Sequence, residues 1–253
     1  MKTHQKPKLT ETERNEPIRL LALSDGLFAT VLTLLVLDLR LPEALSSAGE
    51  TRTAFIRWLG PHLFSYVLTF WVAGLYWLAH HRNFEKLIHT DRGLLSYNLL
   101  FLFFVGLFPF STATLSLGKF QSNEYPFYWA IYAVNILGAG VLLEVTRWYA
   151  ISHHLAMAET TSQQRRYVTM RHLVTPAVFL LSIIAEYLFP QAFLGPYSLV
   201  VIPFLMWGID HRLAPAMPDQ VAQPSSLSEV LWRAGTIVPW LVILGLAVWA
   251  MAS

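Results

Sequence analysis

The chain has 253 residues, 55% of them hydrophobic and only 13% charged, with a net charge of +2. With a positive mean hydropathy as well, it is too apolar to leave its surface to water, and a bilayer is its expected solvent. The small charge and the lack of a basic arm interleaved with aromatics exclude a nucleic-acid partner, and the absence of cysteine removes disulfide and thiolate chemistry.

Residues 1–17 are polar and charged and read as a disordered cytoplasmic N-terminal segment. The apolar stretch that follows has no Ala-x-Ala-like cleavage site before it, so the first span is expected to be retained. Seven stretches, 18–40, 61–80, 93–115, 127–150, 172–189, 193–211 and 231–252, are apolar over about the ~20 residues a helix needs to cross ~30 Å of hydrocarbon. All are expected to be helices, because backbone amides in lipid must be satisfied within their own segment, and the runs lack the alternation of barrel strands. The fold class is therefore all-α, a polytopic transmembrane helix bundle. Phe189-Pro190-Gln191 reads as a tight hairpin turn between the fifth and sixth spans, since Pro190 ends a helix more readily than it continues one. The bundle domain occupies 18–212, and 213–230, rich in Pro, Ala, Ser and Gln, is a linker to an extra C-terminal transmembrane segment in 231–253.

Basic residues set the orientation, because Lys and Arg resist translocation and gather in short cytoplasmic loops. With the N-terminus cytoplasmic, 14 of the 18 Lys and Arg lie inside, leaving Arg40, Arg52, Arg57 and Lys119 outside. The expected location is the cell (inner) membrane, as a multi-pass protein in contact with the lipid bilayer.

The first span carries the unusual chemistry. Arg19, Ser24 and Asp25 sit in or beside apolar sequence, where a charge costs a few kcal/mol or more unless paired or hydrated. At ~100° per residue, Gly26, Thr30, Thr33 and Leu37 share a narrow arc, while Asp25 projects to one side of it. A stripe of Gly and Thr serves either close helix packing or a water-lined path, and periodicity does not separate the two. An intramembrane Asp is either a functional group or a carboxylate that fixes helix register through Arg, Trp or His.

The run from Arg19 through Leu23-Ser24-Asp25-Gly26 to Leu37-Asp38-Leu39, followed by Leu41-Pro42, resembles the bacterial members of the lysosomal potassium channel family, transmembrane protein family 175. Tyr76-Trp77-Leu78-Ala79-His80-His81-Arg82, closing the second span, is also similar to that family. The resemblance implies a homotetramer of six-span subunits, with the four first helices around a central potassium-permeable pore. It further implies a structural role for Arg19, Ser24, Asp25 and Gly26, with Trp77, His80 and His81 as hydrogen-bonding partners. Thr30, Thr33, Leu34 and Leu37 are then the positions that line and gate the pore. No cofactor is implied, and no metal beyond transient coordination of permeant potassium. Three departures stand out: Thr30 where the family has a bulky aliphatic constriction, Leu23 in place of the signature Phe, and the seventh apolar span.

Other polar residues have two readings each. Asp38 near the outer end of the first helix forms either an acidic ring at the outer mouth or an ordinary exposed helix end. Glu144, three residues before Arg147, is placed to pair with it; Glu186 is a second intramembrane carboxylate. The pairs His80-His81 and His153-His154 invite a metal reading, but adjacent histidines on a helix point ~100° apart and no His-Glu-x-x-His spacing accompanies them. Two alternatives to a channel follow: a proton-coupled carrier built on Asp25, Glu144 and Glu186, or a membrane-embedded metal-dependent enzyme using the histidines and Glu144.

Overall fold

Uniform hydropathy predicts where helices lie, and prolines and paired charges decide where they begin and break. A computed structural model describes residues 11–39, 52–118, 122–157, 161–189, 194–213 and 241–249. Helix α1 spans Glu11–Leu35 and tightens into a 3-10 turn, Val36–Leu39. It thus takes in residues from Glu11 on that hydropathy assigns to the polar lead. Helix α2, Arg52–Phe84, overruns the expected 61–80 at both ends with Pro61 inside it, because one internal proline removes a single backbone bond.

The third predicted span is two helices, α3 (Arg92–Gly106) and α4 (Phe108–Leu117). Pro109 has no N–H to offer the preceding turn, and the Leu107 amide turns to the Phe103 and Phe104 carbonyls at 3.2 and 3.1 Å. Asp91 starts α3 by accepting the Leu94 amide at 2.7 Å, the usual carboxylate cap. Helix α5 covers Tyr125–Ser152. Helix α6, Ser162–Leu188, begins well before the expected residue 172, with Thr161 capping the Gln164 amide at 3.1 Å. Its early turns hold Arg165, Arg166 and Arg171, which hydropathy alone assigns to a loop.

The sixth predicted span is divided into α7 (Leu194–Ser198) and α8 (Val201–Leu213). Arg171, early in α6, pairs with Asp210, late in α8; Glu186, late in α6, accepts the Gly195 amide at 2.6 Å. The two arms therefore run antiparallel, as a hairpin. Among the described residues, five stretches are long and apolar enough to cross a membrane: Glu16–Leu39, Ala54–Phe84, Arg92–Leu117, Tyr125–Ser152 and Ser162–Leu188. The sixth predicted span is not one of them. Of the seventh, residues 241–249 are helical, and the rest of it, like the linker from 214 on, lies outside the described residues.

Helix α5 packs against α3, α4 and α6, while α1 packs on α2, α3 and α4. Since lipid is as apolar as the helices, such a bundle is held by close packing and interhelical hydrogen bonds. Here the Thr69 and Thr112 hydroxyls meet at 2.7 Å, Tyr76 Oη donates to the Ile136 carbonyl at 2.9 Å, and Trp129 Nε1 donates to Ser182 Oγ at 2.9 Å. Gly140 allows a close approach of three helices, for a Cβ there would stand 2.6 Å from Tyr76 Oη and 3.0 Å from Pro176.

One end of the bundle collects the basic segments. Thr90, before α3, donates to Glu16 of α1 at 2.7 Å. The α2–α3 connection pairs with the α5–α6 connection through a single antiparallel bridge, Leu87 to Ala156, with Ile88 N to Leu155 O at 2.7 Å and Met157 N to Lys86 O at 2.9 Å. Lys86, Arg92, Arg165 and Arg212 fall at this basic end, as the loop-charge bias predicts.

Candidate functional site

Helix α1 has two faces. Leu20, Ser24, Phe28, Val31 and Leu35 are buried against the rest of the subunit. Arg19, Leu23, Gly26, Thr30, Thr33, Leu34 and Leu37 are exposed, and this open stripe contains the whole arc derived from helical geometry. A Cβ on Gly26 would meet nothing within 4 Å, so the subunit itself makes no demand for glycine there. Thr30 donates its hydroxyl proton to the Gly26 carbonyl at 2.9 Å, and Thr33 donates to the Thr30 carbonyl at 2.7 Å. Both hydroxyl oxygens keep their lone pairs for whatever occupies the open side.

The buried face is fastened by a directional chain of hydrogen bonds. Ser24 gives its proton to the Leu20 carbonyl at 3.0 Å, and Ser24 Oγ in turn accepts from Asn98 Nδ2 at 3.3 Å. That leaves Asn98 Oδ1 as an acceptor 2.9 Å from His80 Nε2, so the His80 proton is assigned to Nε2 by its surroundings. Ser24, His80 and Asn98 are all 0% exposed, and their chain joins α1, α2 and α3. His80 is further held between rings, 3.9 Å from Phe84 and 5.2 Å from Phe101.

Asp25, beside this chain, accepts from Trp77 Nε1 at 2.9 Å. His81 Nδ1 stands 4.0 Å from Asp25 Oδ1, too far for a hydrogen bond, and its Nε2 is 3.1 Å from Glu85 Oε1. The structure therefore gathers Ser24, Asp25, Trp77, His80 and His81 at one junction. Arg19 is not in it: the side chain is exposed on the open stripe and makes no hydrogen bond or ion pair with the described residues. Asn98 is the member that sequence reading misses, although an asparagine inside Leu-Leu-Ser-Tyr-Asn-Leu-Leu-Phe is a visible signal.

Asp38, in the 3-10 turn, is half-buried and turned toward its own subunit, where His62 and Ser116 act on its carboxyl. Its Oδ2 is enclosed without a hydrogen-bond partner among the described residues. Glu144 and Arg147, paired as their spacing predicts, are joined by His172 Nδ1 at 2.9 Å and by Thr169, which ties α5 to α6. His153 stacks on Tyr149 at 4.0 Å. Among the described residues, no group of three His, Asp or Glu side chains is placed to hold a metal ion.

A family model described as the endosomal/lysosomal potassium channel TMEM175 matches residues 19–109, from the signature Arg to the start of α4. A potassium channel of Streptomyces collinus is 32% identical over 53% of this chain, which spans a little under two thirds (65%) of that relative. A potassium channel of Chryseobacterium sp. is 24% identical over 79% of this chain and 97% of its own length. The crystal structure of a lysosomal potassium-selective channel TMEM175 homolog from Chamaesiphon minutus superposes with a TM-score of 0.63 at 21% identity, covering 78% of this chain and 99% of that one.

Proposed function

We propose that this chain is a member of the TMEM175 family, as its similarity to that family's model and to bacterial potassium channels supports, and a potassium-permeable channel of the cell membrane whose path is lined by α1. The carrying observation is the division of α1 into a face fastened within the subunit and a stripe, Gly26, Thr30, Thr33 and Leu37, that the subunit leaves open. One helix cannot enclose a path, so the reading requires several copies, and four is the number we propose. The threonine oxygens then converge on the axis and replace part of the hydration shell of a passing potassium ion. Leu34 and Leu37, one turn farther along, form the apolar constriction that opposes water.

Arg19 lies on the open stripe and is positioned to reach a neighbouring subunit; Ser24 and Asp25 hold the helix in register. Asp38 contributes negative potential near the outer mouth without pointing along the stripe. A channel family leaves no place for the metal-enzyme alternative. The carrier alternative loses two of its three carboxylates to structural duty, Asp25 with Trp77 and Glu144 with Arg147.

Reconstitution into proteoliposomes holding a potassium gradient tests the proposal. We expect flux well above that of empty vesicles, in proportion to protein added. Flux equal to that of empty vesicles from correctly folded protein would sink it.

A further inference from the structure

A cleft of about 430 Å³ lies over α5, between Tyr97 of α3 and Leu173 of α6. That volume is within the usual ~300–1,000 Å³ of small-ligand sites. Its floor is the outward stripe Val141, Val145 and Trp148, spaced to fall on one helix face. All three are exposed, so this floor is apolar and opens sideways to the hydrocarbon, with Tyr97, Tyr149 and Ser152 also on the lining.

At the basic end of the cleft, Trp148 is 44% exposed and has the Arg165 guanidinium 6.0 Å from its ring. Arg165 and its neighbour Arg166 are exposed and form no ion pair with the described residues. The carboxylates nearby are already engaged: Glu144 on Arg147, and Asp91 on the Leu94 amide and on Tyr149 Oη at 2.9 Å. The first turn of α6 contains no acidic residue either. Among the described residues, a cationic rim with no ion-pair partner thus opens onto an apolar trough through an interfacial tryptophan.

We propose that this cleft is a binding site for an anionic phospholipid of the surrounding leaflet, the phosphate on Arg165 and Arg166 and one acyl chain along Val141, Val145 and Leu173. Charge complementarity selects the headgroup. The loop charges place this end of the bundle at the cytoplasmic leaflet, where anionic lipids lie against basic juxtamembrane groups. Glu144 also lines the cleft, and the Arg147 guanidinium lies 5.8 Å from the Trp148 ring. A chain in the trough therefore covers the buried charges that join α5 to α6.

The test uses the full-length protein, purified in detergent and titrated with phosphatidylglycerol or phosphatidylcholine of matched chains, with native mass spectrometry reading lipid adducts. We expect phosphatidylglycerol to be retained preferentially and to raise the thermal midpoint. Each of R165Q and R166Q is expected to lower that preference about fivefold, the effect of one basic side chain at an anionic surface. V145W, which fills the trough, is expected to reduce retention of both lipids while R165Q leaves phosphatidylcholine unchanged. Equal retention of the two lipids by the wild type, a preference untouched by both arginine variants, or a subunit contact found over Val145 by cross-linking would each overturn the proposal. Because lipid retention is read independently of flux, its failure is distinguishable from failure of the channel reading.

Discussion

At the scale of single residues, Thr30 is the departure from the pattern of the family this chain resembles with the largest expected effect. In the proposed tetramer a bulky aliphatic side chain there would put a methyl-lined ring in place of hydroxyl oxygens, and hydrocarbon opposes the hydration of an ion in transit. T30I is therefore expected to cut single-channel potassium conductance severalfold while the protein folds normally, because the side chain is exposed within the subunit. Planar-bilayer recording of the two proteins makes the comparison, and equal currents would show that Thr30 faces away from the path. Asn98 is a contrasting case. Its hydrogen bonds go to none of the open stripe: both ends of its amide are used, one on Ser24 and one on His80, and in hydrocarbon an unpaired amide has no water to fall back on.

At the scale of elements, an ion pair within α5 anchors a joint to α6. Arg147 and Glu144 are each 5% exposed and hold α5 to α6 through His172 and Thr169. Removing one member leaves an uncompensated buried charge, which costs about 3–5 kcal/mol, while replacing both with apolar groups is far milder. R147M is accordingly expected to lower the thermal midpoint in detergent sharply, and E144L/R147M to restore most of the loss. A midpoint unmoved by R147M would show that the joint does not carry load. The sequence made this pair legible because its spacing is local. It also made the open stripe of α1 legible, for Gly26, Thr30, Thr33 and Leu37 depend only on helical periodicity. Less legible was what depends on distant partners. Asn98 acquires its role only when α3 lies across α1 and α2, and the early start of α6 only when Arg171 finds Asp210. The break at Leu107 was in plain view as Gly106 and Pro109, but hydropathy averages across such a site.

At the scale of the whole molecule, the proposed channel requires the open stripe to be covered by further copies. Ile18, Leu23, Leu34, Val36 and Leu37 are all more than 40% exposed on α1 in the isolated subunit, beside a glycine whose smallness nothing inside the subunit uses. Small residues at such a face let neighbouring helices approach closely. Mass determination in detergent is expected to give about four times the 28.8 kDa of one chain, with lipid and detergent subtracted. G26L is expected to shift the distribution toward smaller species without unfolding the subunit. A wild-type protein that stays monomeric while conducting potassium would require a path through the subunit itself, and α1 would lose its assigned role.

The direction in which Thr30 and Thr33 spend their protons has a consequence for the sign of the charge that passes. Since both hydroxyls bond back to their own helix, the pore wall we propose for them offers oxygen lone pairs and no hydroxyl hydrogens. A chloride ion entering it would give up water for contacts that repel it, whereas a cation would trade one set of oxygens for another. In the proposed channel the orientation of two neutral side chains is therefore what refuses anions. The reversal potential is expected to stay fixed when chloride is exchanged for a bulky organic anion at constant potassium.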